Sequence, residues 1–225
     1  TSGLYCNSAE RVRTMIGFYD YTVILTFFSV ISSVVGMSFA VNGHFFLAIV
    51  CLLVSGLCDM FDGMVARTKK NRTEEEKKNG IQLDSLADIV CFGAFPAVIG
   101  LKLAAGQSFF FLMVIVVSLF VLCGIIRLAY FNVTEELRQQ QTTDKRKNYE
   151  GLPITSVALI IPALFCAKPL LEETFPIAYM ILMLLVSVCF ILKWKIKKLS
   201  TTGNIVLICI GILIFAILTA TGFML

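Results

Sequence analysis

Charge is scarce in this sequence: 15% of its 225 residues are Asp, Glu, Lys or Arg, against 58% hydrophobic, and the mean hydropathy is +0.87. So little charge excludes an ordinary soluble domain of this length, in which about a quarter of the residues are charged. Histidine is limited to His44, at a turn between two apolar runs, which leaves no histidine set for a metal. The eight cysteines, Cys6, Cys51, Cys58, Cys91, Cys123, Cys166, Cys189 and Cys209, include no CxxC pair. They read as small apolar packing residues, not as a disulfide frame or a zinc site. No G-x-x-x-x-G-K stretch occurs, which argues against an ATPase, and no internal repeat is visible. No cleavage-site pattern follows an early apolar run, so the first such run is expected to stay in place as an anchor.

What the chain has instead is apolar length. A helix crossing hydrocarbon needs about 20 apolar residues, and seven stretches approach that: 21–41, 44–65, 81–104, 108–131, 152–171, 175–192 and 205–225. Each is continuously apolar, whereas strands of a membrane barrel would alternate, so helices are expected. The fifth stretch is interrupted by Pro153 and Pro162. The expected fold class is therefore all-α, a polytopic transmembrane helix bundle of six to seven spans, forming one membrane domain over 1–225. Within it, 44–104 holds the second and third spans with a connecting loop at 68–79. The C-terminal spans, 175–225, carry no recognised motif.

Fifteen of the 19 Lys and Arg residues fall before span one and between spans two and three, four and five, and six and seven. Basic residues concentrate in cytoplasmic loops, so these connections are expected on the cytoplasmic side, with tight outer turns at "VNGH" and "AAGQ". Topology and attraction to anionic lipid heads account for the basic segments, and no nucleic-acid partner is expected.

That orientation brings four acidic residues together. Asp59 and Asp62 sit at the inner end of span two, and Asp84 and Asp88 at the inner end of span three. Residues three or four apart share a helix face, so two pairs of carboxylates confront each other. Each costs on the order of 3 kcal/mol to insert at a helix centre, and a positive partner must compensate. Oxygen ligands without His or Cys suit a hard divalent cation such as Mg2+ or Mn2+, commonly used on phosphates, two such ions clamping the attacking and leaving oxygens. Gly63 and Ala66 interleave with the aspartates. They either let a ligand approach the backbone or pack helices closely in the small-xxx-small manner.

Written out, the residues are Asp59-x2-Asp62-Gly63-x2-Ala66-Arg67, twelve residues, then Gly80-x3-Asp84-x3-Asp88. This resembles the signature of the CDP-alcohol phosphotransferase family, D-x2-D-G-x2-A-R-x(n)-G-x3-D-x3-D, in all eight defining positions. The spacer is longer than is usual there, and "KKNRTEEEKKN" reads as a solvated cytoplasmic loop. The segments "LDSLADIVCFGAFPA", "RLAYFN" and "GLP" are similar to those of the integral-membrane branch of the family that uses serine as acceptor. Span one departs from the family, "TVILTFFSV" replacing a Pro-Asn that often precedes a similar Leu-Thr.

The resemblance implies transfer of a phosphatidyl group from CDP-diacylglycerol to L-serine, with release of CMP. It implies two divalent cations held by Asp59, Asp62, Asp84 and Asp88, with Asp88 also the general base. Asp62, Gly63, Ala66, Arg67 and Gly80 would border the nucleotide, and Thr26 matches a nucleotide-facing threonine. It further implies a homodimer among membrane lipids, expected in the plasma membrane of a prokaryote with its site on the cytoplasmic side. Serine is a zwitterion, so Arg127 is a candidate for its carboxylate or a snorkelling helix-end residue. Tyr130 and Asn132 are further acceptor-side candidates, Tyr130 also fitting an interfacial aromatic belt. Two rival functions stay open: another acceptor in the same family (glycerol phosphate, inositol phosphate, choline or ethanolamine), and a divalent-cation transporter. A transporter would more naturally carry its acidic residues near the midplane.

Overall fold

The computed structural model describes residues 21–66, 68–69, 73–141, 148–197 and 201–220. One 3-10 turn, Tyr21–Val23, leads into α1 (Ile24–Val41), followed by α2 (Phe45–Ala66) and α3 (Glu74–Asp88). A π-helical segment, Ile89–Ala94, joins α3 to α4 (Phe95–Leu103), and α5 runs over Phe110–Gln141. Then come α6 (Val157–Cys166), the single turn α7 (Lys168–Leu171), α8 (Phe175–Ile191) and α9 (Thr201–Ala220). Five helical stretches are long and apolar enough to cross a membrane, and Ile154–Cys166 and Ile205–Ala220 are apolar but shorter. These fit an integral membrane protein built as a helix bundle.

The structure differs from the sequence reading in three places. The fifth stretch, 152–171, is not one helix: α6 stops at Cys166 and α7 starts at Lys168. Pro169 is the cause: it has no N–H for the Phe165 carbonyl four residues earlier and its ring crowds that carbonyl, whereas it fits the first turn of a new helix. The loop expected at 68–79 is shorter, because α3 already begins at Glu74. Thr73 Oγ1 accepts from the Glu76 N–H at 3.1 Å and Glu76 Oε2 accepts from the Thr73 N–H at 3.2 Å. This capping box satisfies two orphan donors and starts a helix that hydropathy alone cannot see. Lys69 Nζ adds a 3.1 Å ion pair to Glu76.

The third difference is a two-stranded antiparallel ribbon, β1 (Asn148–Glu150) with β2 (Lys195–Lys197), which ties together two connections read as separate basic loops. Gly151 makes the junction possible: its φ is +75°, and a Cβ there would lie 3.0 Å from the Phe190 carbonyl oxygen. Only glycine adopts that backbone without strain and without the clash.

Packing is closest between α1 and α2. A Cβ on Gly36 would stand 2.7 Å from Cys51 Cβ and closer still to the Phe95 ring, so the absent side chain lets α2 and α4 press onto α1. At the opposite end from the aspartates, Phe165 packs edge-on against Phe175 at 4.9 Å and near Phe45 and Tyr179. The Tyr179 hydroxyl donates to the Pro96 carbonyl at 2.8 Å, satisfying a buried phenol and locking α8 onto α4. Pro96 also accounts for the π segment, since the wider turn ahead of it relieves the contact a proline makes with the preceding turn. The Phe95 N–H bonds five residues back, to Val90.

Candidate active site

Ser55, Asp59 and Asp62 follow one another at spacings of four and three along α2, and Asp84 and Asp88 at four along α3. The two faces meet: one oxygen each of Asp59, Asp84 and Asp88 lies within 4.8 Å of the others. Asp59 with Asp88, and Asp62 with Asp84, interact across the two helices. Asp62 stands beside the trio rather than in it, with its Oδ2 accepting from Thr26 Oγ1 of α1 at 3.2 Å. Asp62 and Asp88 are buried, at 7% and 8% exposure.

The donors suit a hard cation. Oxygens on one Mg2+ stand about 3 Å apart in cis and about 4.2 Å in trans, from metal–oxygen distances near 2.1 Å. A trio spaced within 4.8 Å needs only side-chain adjustment to reach that. Among the described residues it is the one such group of acidic, histidine or cysteine side chains, and its all-oxygen character favours Mg2+ or Mn2+ over softer metals.

The aspartates open on a cavity of about 1590 Å³ bounded by α2, α3, α5, α6 and α9. One end is polar: the four aspartates, Ser85, Arg127 and Asn132, with Glu74, Lys77, Lys78, Glu135 and Glu136 toward the rim. Its other wall is apolar, made by α2, Leu159 and Ile160 of α6, and Leu207, Ile208, Ile212 and Phe215 of α9. Pockets for drug-sized ligands run to about 1000 Å³, so this space suits something larger with one charged and one hydrocarbon end.

The candidates from the sequence fall into three groups. Arg127 and Asn132 join the aspartates in the cavity, Asn132 Nδ2 donating to Ser85 Oγ at 2.8 Å, with the Arg127 guanidinium 5.9 Å from the Phe131 ring centre. Thr26 is turned to Asp62, Gly80 lies half-buried in α3, and Tyr130 is exposed, with Lys193 Nζ 5.5 Å above its ring. Ala66 ends α2, and Arg67 lies outside the described residues. Gly63 is exposed, and a Cβ there would meet nothing within 4 Å. That removes close helix packing as its role.

Sequence reasoning missed Ser85 and the α9 wall. Ser85 sits one residue past Asp84, off the face defined by the aspartate spacing, and an apolar helix facing a cavity has the same composition as one facing lipid.

A family model described as CDP-alcohol phosphatidyltransferase matches residues 21–224. The chain is 39% identical over 155 residues to the CDP-diacylglycerol–serine O-phosphatidyltransferase of Saccharomyces cerevisiae, covering 66% of this chain and 54% of that one. It is 31% identical over 156 residues to the archaetidylserine synthase of Methanothermobacter thermautotrophicus, covering 69% and 60%. To the CDP-diacylglycerol–serine O-phosphatidyltransferase of Helicobacter pylori it is 31% identical over 143 residues, covering 64% and 56%. The matched segments span between half and two-thirds of the length of these relatives.

Proposed function

The chain belongs to the CDP-alcohol phosphatidyltransferase family, and from that premise we propose that it transfers the phosphatidyl group of CDP-diacylglycerol to L-serine, giving phosphatidylserine and CMP. The observation that carries the reading is the trio Asp59, Asp84 and Asp88, with oxygens within 4.8 Å, at the polar end of a cavity whose other wall is hydrocarbon. A nucleotide-activated lipid has that division. Serine as acceptor is supported by the names of the matched relatives, which share it while their lipid parts differ.

In this reading Asp59, Asp84 and Asp88 hold a divalent cation and Asp62, beside Asp84, serves a second. When bound, such cations neutralise the diphosphate and the charge developing on departing CMP. The serine hydroxyl oxygen forms a bond to the lipid-linked phosphorus as the bond from that phosphorus to the CMP oxygen breaks. The hydroxyl proton passes to the Asp88 carboxylate. Gly63, with open space where a Cβ would be, borders the nucleotide together with Ala66 and Arg67. Arg127, lining the polar end, faces the serine carboxylate, and Asn132, held by Ser85, stands beside it.

The proposal puts the cleft on the cytoplasmic side of a prokaryotic plasma membrane; the side rests on the asymmetry of basic residues. A homodimer is carried over from the family resemblance, and cross-linking in membranes tests it.

The reading is tested on purified chain in lipid, with Mg2+ or Mn2+ and CDP-diacylglycerol, by following CMP release with serine, glycerol phosphate and inositol phosphate in parallel. Release with serine is expected. Release only with a phosphorylated alcohol would reassign the acceptor, and cation flux into sealed vesicles without nucleotide would overturn the enzyme.

The α9 wall gives a separate prediction. Gly211 lines the apolar end and a Cβ there would lie 3.6 Å from Leu159 Cδ2, so Gly211→Trp fills space assigned to an acyl chain. Excluding two methylenes costs about 1.6 kcal/mol, or roughly a tenfold rise in KM for long-chain CDP-diacylglycerol. A short-chain analogue should be affected little; equal effects on both would sink the assignment.

A further inference from the structure

The first helix carries none of the four aspartates, yet it is bonded to α2, which holds two of them, and to the π segment that continues α3, which holds the other two. Ser33 Oγ donates to Ser55 Oγ at 2.8 Å, Ser55 Oγ to the Ser29 carbonyl at 3.0 Å, and Ser29 Oγ to the Ser55 carbonyl at 3.2 Å. Ser29 Oγ also lies 3.3 Å from Cys91 Sγ of the π segment. Ser55 is one turn before Asp59 on α2, and Cys91 is three residues past Asp88. With Ser29, Ser33 and Ser55 all at most 4% exposed, these bonds are shielded from water and fix the register of α1 against both neighbours.

Thr26 is the next hydroxyl along that face, three residues before Ser29, and its Oγ1 donates to Asp62 Oδ2 at 3.2 Å with both side chains buried. A threonine facing a nucleotide would have its hydroxyl open to the cavity. This one is 6% exposed and its hydroxyl is spent on the carboxylate. We propose that Thr26 is a positioning residue, which uses the hydroxyl ladder of α1 to hold Asp62 beside the trio Asp59, Asp84 and Asp88 in the orientation a bound divalent cation needs.

A carboxylate has two oxygens and a torsion that lets either lead. One donor on Oδ2 removes that freedom and leaves Oδ1 for the cleft. Partners of this kind behind a metal-holding carboxylate are commonly worth 10- to 100-fold in metal affinity.

The inference rests on reading the aspartates as a cation site. Its test is Mn2+ binding to the purified full chain, followed by electron paramagnetic resonance without nucleotide. Thr26→Val is expected to weaken Mn2+ binding about tenfold, while Thr26→Ser, which keeps the hydroxyl, stays within about twofold of the native protein. In an Asp62→Asn background, Thr26→Val is expected to change nothing further, because the effect runs through that carboxylate. CMP affinity at saturating Mn2+ is expected to be the same in Thr26→Val as in the native protein. If the valine variant is not recovered folded, Thr26→Ala serves in its place.

Native-like Mn2+ binding by Thr26→Val, or an equal loss in the Asp62→Asn background, would overturn the inference. So would a loss of CMP affinity with Mn2+ affinity unchanged, which makes Thr26 a nucleotide contact. Absence of Mn2+ binding by the native protein would instead sink the cation site itself.

Discussion

Replacing Asp88 with asparagine is expected to lower CMP release about 10³-fold while leaving the protein folded. Asp88 is buried at 8% exposure and contributes one of the three oxygens gathered within 4.8 Å. In the proposed reaction it takes the serine proton, and a positioned general base contributes about 10²- to 10⁴-fold. Asparagine keeps the shape and an oxygen but accepts no proton. The stability effect has the opposite sign. Without a cation, the native protein buries mutually repelling carboxylates, so the Asp88→Asn variant in chelator should melt at or above the native temperature, a trade between activity and stability common at functional sites. Thermal unfolding in detergent beside the CMP assay reads both. A variant that keeps more than a tenth of the native rate would remove Asp88 from the chemistry.

Stripping divalent cations with a chelator is expected to reduce activity to background, and adding back Mg2+ or Mn2+ to restore it. The reason is electrostatic. Two unit charges 4.8 Å apart, the outer limit of the trio, repel by about 3.5 kcal/mol at an effective dielectric constant of 20. Three such pairs come to about 10 kcal/mol, comparable with the whole stability of a typical domain. An ionised trio is therefore not self-supporting without positive charge, and the basic side chains at the cavity rim are engaged elsewhere: Lys77 pairs with Glu74 at 2.6 Å and Lys78 with Glu136 at 3.7 Å. Asp59→Asn removes one charge and keeps a neutral oxygen, so the Mg2+ concentration for half-maximal rate should rise by at least about tenfold. Full turnover in chelator would exclude the cation site.

The membrane class and the helical fold were legible in the sequence because lipid imposes a simple rule: long apolar runs with their backbone bonded internally. The aspartate constellation was legible for a similar reason, since residues three and four apart on a helix share a face whatever surrounds it. Hydropathy is uninformative where a helix is polar or where proline and glycine set the backbone. Glu74 to Asn79 are polar and hydropathy makes them loop, whereas the Thr73–Glu76 capping box makes them the first turns of α3. Pro169 ends the fifth helical stretch sooner than its apolar composition suggests. Gly63 looked equally suited to packing and to ligand approach, and only the empty space around it separates the two.

That this chain is a bundle of apolar helices, and that two of them each carry a pair of carboxylates on one face, is written in the order of its residues. Those follow from local periodicity and from what hydrocarbon tolerates. Only the packed fold brings three of the four carboxylates together with Asp62, bonded to Thr26, beside them, turns Tyr130 to Lys193, and makes α9 a wall of the cavity. Those depend on the rotation and register of one helix against another, which are set by contacts between residues tens of positions apart, and no spacing within a single helix encodes them.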